Sequence, residues 1–150
     1  MSLFGEGTEK MPNSEHEKIV RRWFDEVFTQ GDPQAVDKLL ADDFISRDPS
    51  GEPGAVGVDA FKSWLEWYLS SFTDPEWRLH DILSDGNKAV VRYSGLTTYQ
   101  GGFLDIPSSK QRVKEMGVLI FRIEDGKVHE LWSALSDLEV VLELGGRILA

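Results

Sequence analysis

Cysteine is absent from the 150 residues. Disulfides, thiol nucleophiles and cysteine-ligated zinc are therefore excluded. Histidine is scarce: His16, His80 and His129 are the whole set. No HxH or HxxxH spacing joins them, so a metal site is not expected. His16 falls beside acids in the first turn of a helix, which suits a solvated face. No apolar run is long enough to span a bilayer. The opening MSLFGEGTEKMPNSE has no apolar signal core. GxGxxG, GxxxxGK and GxSxG are all missing, which leaves nucleotide-binding and hydrolase-elbow folds without support. Positive charge is also short: 16 Lys and Arg stand against 26 Asp and Glu, for a net charge of −10. Phosphate backbones and anionic membranes draw their partners with clustered Lys and Arg, so neither is expected as a partner. An acidic surface favours solubility, and a cytoplasmic protein is expected.

Aromatic residues are what the chain has in plenty, with 5 Trp, 8 Phe and 3 Tyr. A buried Trp seeks a partner for its N–H. So many rings in a small domain either stack an unusual core or line a pocket.

Residues 1–14 are expected to form a flexible tail and residues 15–150 a single domain. Ile19, Val20, Trp23, Phe24, Val27 and Phe28 recur at helical spacing. Gly31 ends that helix, and Asp32 with Pro33 starts a short one. A brief extended segment follows to Pro49, then a Gly/Pro-rich loop over 50–57. A third helix is expected from Val58 to Phe72. After it the period changes to two, with strands over Trp77–Ser84, Lys88–Gln100, Arg112–Glu124 and Lys127–Leu135. Asp125–Gly126 marks a tight hairpin turn. A last helix is capped by Ser136 or Asp137 and stopped by Gly145. Helices gathered on one side of consecutive antiparallel strands define an α+β fold. Such a sheet curls around its helices as a cone with an open mouth.

Three groups could carry chemistry. Arg47, beside Asp48 before the Gly/Pro loop, would hold a carboxylate or enolate oxygen if it points inward; otherwise it joins a rim ion pair. Glu115 shares its strand parity with Val113, Gly117, Leu119, Phe121 and Ile123. Glu130 shares its parity with Trp132; it is an acid–base candidate if buried, or a cross-strand partner of Arg122. The middle of the Arg112–Glu124 strand is apolar on both faces, so it is covered twice. The helices supply one cover, and the closing helix or a second subunit supplies the other.

Several stretches together carry a resemblance: FTQGDPQAVDKLLADDF, FKSWLEWYLSSF, GNKAVVRYSGLTTYQGGFLDIPSS and GVLIFRIEDGKVHELWSALSD. In order and spacing the chain resembles the SnoaL-like polyketide cyclases, small members of the nuclear-transport-factor-like α+β cone superfamily. The resemblance covers nearly everything after Glu15. It implies a hydrophobic pocket inside the cone, a homodimer, and no cofactor or metal. It also implies an aldol ring closure assisted by an Asp just after the last strand's Trp and by a His on the neighbouring strand. A further His often stands in the early strand. Here those positions hold Ser133, Leu119 and Arg47. The scaffold carries over, and the catalytic set does not.

The chain is thus expected to bind a small, mostly apolar molecule. The expected pocket lining is Trp23, Phe24, Arg47, Trp64 and Tyr68 from the first half. Tyr93, Tyr99, Leu119, Trp132 and Ser133 complete it. Catalysis would fall to Arg47, Glu115 and Glu130. The alternative is a binding or dimerisation module of the same fold, without turnover.

Overall fold

In the computed structural model, residues 14–149 are described. Helix α1 (residues 14–22) runs into a π turn over Trp23–Val27. Its Ile19, Val20, Trp23, Phe24, Val27 and Phe28 are all buried, as their spacing requires. The Phe28 N–H donates to the Trp23 carbonyl at 2.9 Å, closing the wide turn. Gly31 follows with φ +62°, and a Cβ there would stand 2.5 Å from Leu69 Cδ1. Asp32 then caps α2 (Pro33–Leu39), its Oδ1 accepting from the Gln34 N–H at 2.9 Å. The expected tail lies outside the described residues except for Ser14, which is already helical.

Strand β1 (Leu40–Arg47) leads into β2 (Pro53–Val56), which pairs with it antiparallel. The stretch expected to be only a loop thus contains an edge strand. Pro53 is tolerated because it opens that strand, where no ladder N–H is needed. Helix α3 (Val58–Ser71) is followed directly by β3 (Phe72–Asp85). Phe72 belongs to the strand, and Thr73-Asp74-Pro75 does not break it. The residues make a bulge instead: the register slips between Thr73 and Glu76, and Asp74 adopts φ +51°. Strands β4 (Lys88–Tyr99), β5 (Arg112–Glu124) and β6 (Lys127–Leu135) follow, then α4 (Asp137–Glu143). Asp125 and Gly126 both have positive φ, at 51° and 73°, as the two-residue turn between β5 and β6 demands.

The six strands form one mixed, open sheet in the order β2-β1-β6-β5-β4-β3. Only β1 and β6 run parallel. The architecture is α+β, as the element order implied. Along β4, Ala89, Val91, Tyr93, Gly95, Thr97 and Tyr99 are buried and their neighbours are not. These side chains meet α1 and α3 on the inner face of the sheet. Helix α4 also lies on this inner side, with Val140 in one cluster with Tyr68, Phe72, Tyr99 and Val113. It therefore does not supply the second cover expected for β5, and Val118 and Ile120 on the outer face border an open groove.

Candidate functional site

Between α3 and the inner face of β4–β6 lies a cavity of about 670 Å³. That size suits a small organic molecule. Helix α3 supplies one wall because Phe61, Trp64 and Tyr68 recur at three and four. Trp64 and Tyr68 stack at 5.2 Å with their planes 8° apart. The opposite wall comes from inward positions of the sheet: Tyr93, Glu115, Leu119, Leu131, Ser133 and Leu135. Phe103, Asp137 and Val140 border it too, from the loop after β4 and from α4.

Glu115 is the charged group built into this wall. Tyr68 donates its hydroxyl to Oε1 at 2.8 Å, and Thr97 donates to Oε2 at 2.6 Å. Each carboxylate oxygen keeps a further lone pair. Burial pushes the Glu115 carboxyl up from its ordinary value of 4.5. The bonds from Thr97 and Tyr68 pull the other way, and the nearby charge of Asp137 adds to the rise. Asp137 opens α4 at the mouth, and desolvation followed by the charge of Glu139 raises its carboxyl as well. It is the first residue of the helix and not its cap. The residue before it, Ser136, spends its side chain elsewhere: its Oγ accepts from the Met116 N–H at 2.9 Å, tying the helix start to β5.

The other acid–base candidates do not face the cavity chemically. Glu130 projects from the outer face of β6, where its register partner is Arg122. Arg122 Nε and Arg47 Nε donate to its two oxygens, both at 2.7 Å. The Arg122 bond is the main reason the Glu130 carboxyl is held below its ordinary value. Arg47 borders the cavity, but its guanidinium is turned to Glu130 and to the Gly51 carbonyl, 3.0 Å away. It is not presented to an oxyanion. Asp48 accepts from Ser50 and Glu52, shaping the turn between β1 and β2.

Of the expected lining, Arg47, Trp64, Tyr68, Tyr93, Leu119 and Ser133 come together at the cavity. Trp23 and Phe24 do not. They are 0% and 2% exposed, packed edge-on against Phe121 and Phe28 in the core beneath. Tyr99 is consumed by the loop that follows β4: its hydroxyl donates to the Ile106 carbonyl at 2.5 Å and accepts from the Phe103 N–H at 3.0 Å. Trp132 stands on the opposite, outer face, because its parity is that of Glu130; Lys88 Nζ lies 5.4 Å from its ring centroid. Thr97 and Phe103 were missed. Thr97 had a legible signal, since it shares parity with Tyr93 and Tyr99. Phe103 had none, because its place depends on how the loop folds back. Among the described residues no group of three His, Asp or Glu is placed to hold a metal ion, and no helix is long and apolar enough to cross a membrane.

The same architecture recurs in solved structures. A protein from Jannaschia sp. CCS1, assigned as a SnoaL-like polyketide cyclase, superposes with a TM-score of 0.80 at 22% identity, over 90% of this chain and 94% of that one. AclR from Streptomyces galilaeus, assigned as a hydroxylase, gives 0.79 at 20% identity over 91% and 89%. TsrD from Streptomyces laurentii gives 0.77 at 25% identity over 89% and 97%. Those first two assignments differ, so the shared fold does not settle the activity. No curated protein matches the sequence. The family model described as the SnoaL-like domain matches residues 20–131. With that match spanning most of the chain and the cone fold in place, the protein belongs to the SnoaL-like domain family.

Proposed function

We propose that the chain takes a small, largely apolar molecule into the cavity and moves a proton to or from it through Glu115, without a cofactor. One observation carries this reading: the Glu115 carboxyl, desolvated and fixed by two hydroxyls, in an aromatic-walled cavity. A carboxyl with a raised pKa is a better base than an ordinary one and exchanges protons nearer neutral pH. Two of the similar structures come from proteins assigned as polyketide cyclases. The ring closure of that group is not carried over, because Ser133 and Leu119 stand where an acid and a His would be needed. Native mass spectrometry of the protein purified from its own host tests the reading. Glu115→Gln is expected to retain an unconverted ligand and the unaltered chain a product. The same molecule in both proteins would favour the second reading, a binding module, which the missing Asp and His support.

We also propose a homodimer formed through the outer face of the sheet. Val118, Ile120 and Trp132 line an apolar groove there, and Leu83 beside it is 67% exposed. An uncovered apolar sheet face of this kind suits a second copy presenting the same face. Light scattering is expected to give twice the chain mass, and Ile120→Glu the single mass. A wild-type monomer at micromolar concentration would reject the dimer.

A further inference from the structure

Among the described residues, Tyr93 carries the phenol of the cavity wall that the fold leaves without a partner. The residue is 5% exposed and borders the cavity. Its ring is fixed from below by Phe24, at 4.9 Å between centroids, and by Trp77, at 5.7 Å. Its hydroxyl has no hydrogen-bond partner among the described residues, yet is not sealed from the cavity. The other two phenols are committed, Tyr68 to Glu115 and Tyr99 to the loop. A wall donor that the protein leaves unpaired is free to serve an acceptor that enters the cavity.

The position of that hydroxyl is set by a glycine. Tyr93 is the register partner of Gly117 on β5, and a Cβ at Gly117 would lie 3.0 Å from Tyr93 Oη. The missing side chain is what lets the phenol lean over β5. Glu115 is the next inward residue along that strand. Two residues of strand span about 7 Å. A hydroxyl donor and a hydrogen-bonded carboxyl, set by neighbouring inward positions, therefore border one cavity.

We propose that Tyr93 anchors the carbonyl oxygen of an apolar ketone whose adjacent C–H faces Glu115. This rests on Glu115 being the proton carrier and names the substrate class. In the step, the Glu115 carboxylate takes the proton from the carbon next to the carbonyl. The C–H electron pair forms the C=C bond, and the C=O π pair moves onto oxygen. That enolate oxygen is held by the Tyr93 O–H, which stays protonated. Glu115, now a carboxylic acid, returns a proton to the same carbon or to a conjugated one. Nothing is oxidised or reduced, and no further reactant is needed. Tyr93 thus fills the oxyanion role for which Arg47 is turned the wrong way.

The test uses two naphthalenes of the same shape. 2-Acetylnaphthalene carries an acceptor oxygen and an enolisable methyl group; 2-ethylnaphthalene carries neither. Binding is followed by tryptophan fluorescence, and loss of the acetyl methyl signal in heavy water by proton NMR. The ketone is expected to bind at least fivefold tighter than the hydrocarbon. Tyr93→Phe is expected to erase that difference while leaving hydrocarbon binding unchanged, which shows that the variant is folded. Methyl exchange above the buffer rate is expected from the unaltered chain, with at least a tenfold loss in both Tyr93→Phe and Glu115→Gln. No preference for the ketone, or a preference that survives Tyr93→Phe, overturns the anchor. A preference that Tyr93→Phe erases, without any methyl exchange, overturns Glu115 as the base and with it the proposed step. If neither compound binds, the cavity reading falls and takes this inference with it.

Discussion

Tyr68→Phe isolates the environment of Glu115. The phenyl ring keeps the stack on Trp64, so the change is confined to the hydroxyl that donates to Oε1 at 2.8 Å. Thr97 still serves the other oxygen at 2.6 Å. A hydrogen bond to a charged partner contributes about 1.5–3 kcal/mol, and one between neutral groups about 0.5–1.5 kcal/mol. The loss should therefore depend on the state of Glu115. Its carboxyl is raised in the folded chain above the ordinary 4.5. Below that value both folded and unfolded chains hold the proton, and only the neutral bond is lost. As pH rises through the folded pKa, the carboxylate must be carried with one donor fewer, and the loss grows to the larger figure. At neutral pH the melting point should fall by roughly 3–12 °C, taking about 2–4 °C per kcal/mol for a domain of this size. Urea denaturation at pH 4 and pH 8 measures both limits. The same substitution made on Glu115→Gln should cost the smaller amount at both pH values. Asp137, whose charge also acts on Glu115, is kept in all four proteins. A loss that ignores pH, or one that is as large in the Gln background, would refute a buried carboxylate held by this hydroxyl.

Glu115→Gln alone should raise the melting point at neutral pH, since it removes a charge whose burial is unfavourable; a lower melting point would contradict that. Trp23→Ala should cost about 3–5 kcal/mol in urea denaturation, because a fully buried ring leaves a hole among Phe28, Phe61 and Phe121. Gly31→Ala should cost at least about 1–2 kcal/mol, from its positive φ and the Leu69 side chain a Cβ would strike. Glu130→Gln should cost about 1 kcal/mol or less, since the ion pairs it gives up are partly solvated. It should leave ligand affinity unchanged, as its carboxyl is on the outer face.

Much of the chain was legible because its signals are local. Asp32-Pro33 dictates a cap, Asp125-Gly126 a two-residue turn, and the 19–28 stripe a helix, each within a few residues. The Thr73-Asp74-Pro75 stretch misled because the same residues that end strands also make bulges inside them. Glu115 had a readable mark: it is the acid in an otherwise apolar parity of β5. Glu130 and Arg47 were ambiguous for the opposite reason, as an ion pair between β1 and β6 joins residues 83 apart in the chain.

The sequence by itself determined the α+β class, the order of elements, the aromatic richness and the absence of thiols and of metal-binding histidine spacings. These follow from periodicity, turn chemistry and composition, which act over short stretches. Tertiary structure alone decided which face of each strand looks inward. A period of two gives every strand two faces, and only packing against α1 and α3 chooses between them. That choice put Glu115 and Tyr93 into the cavity, turned Glu130 and Trp132 away from it, and drew Tyr99 into the loop.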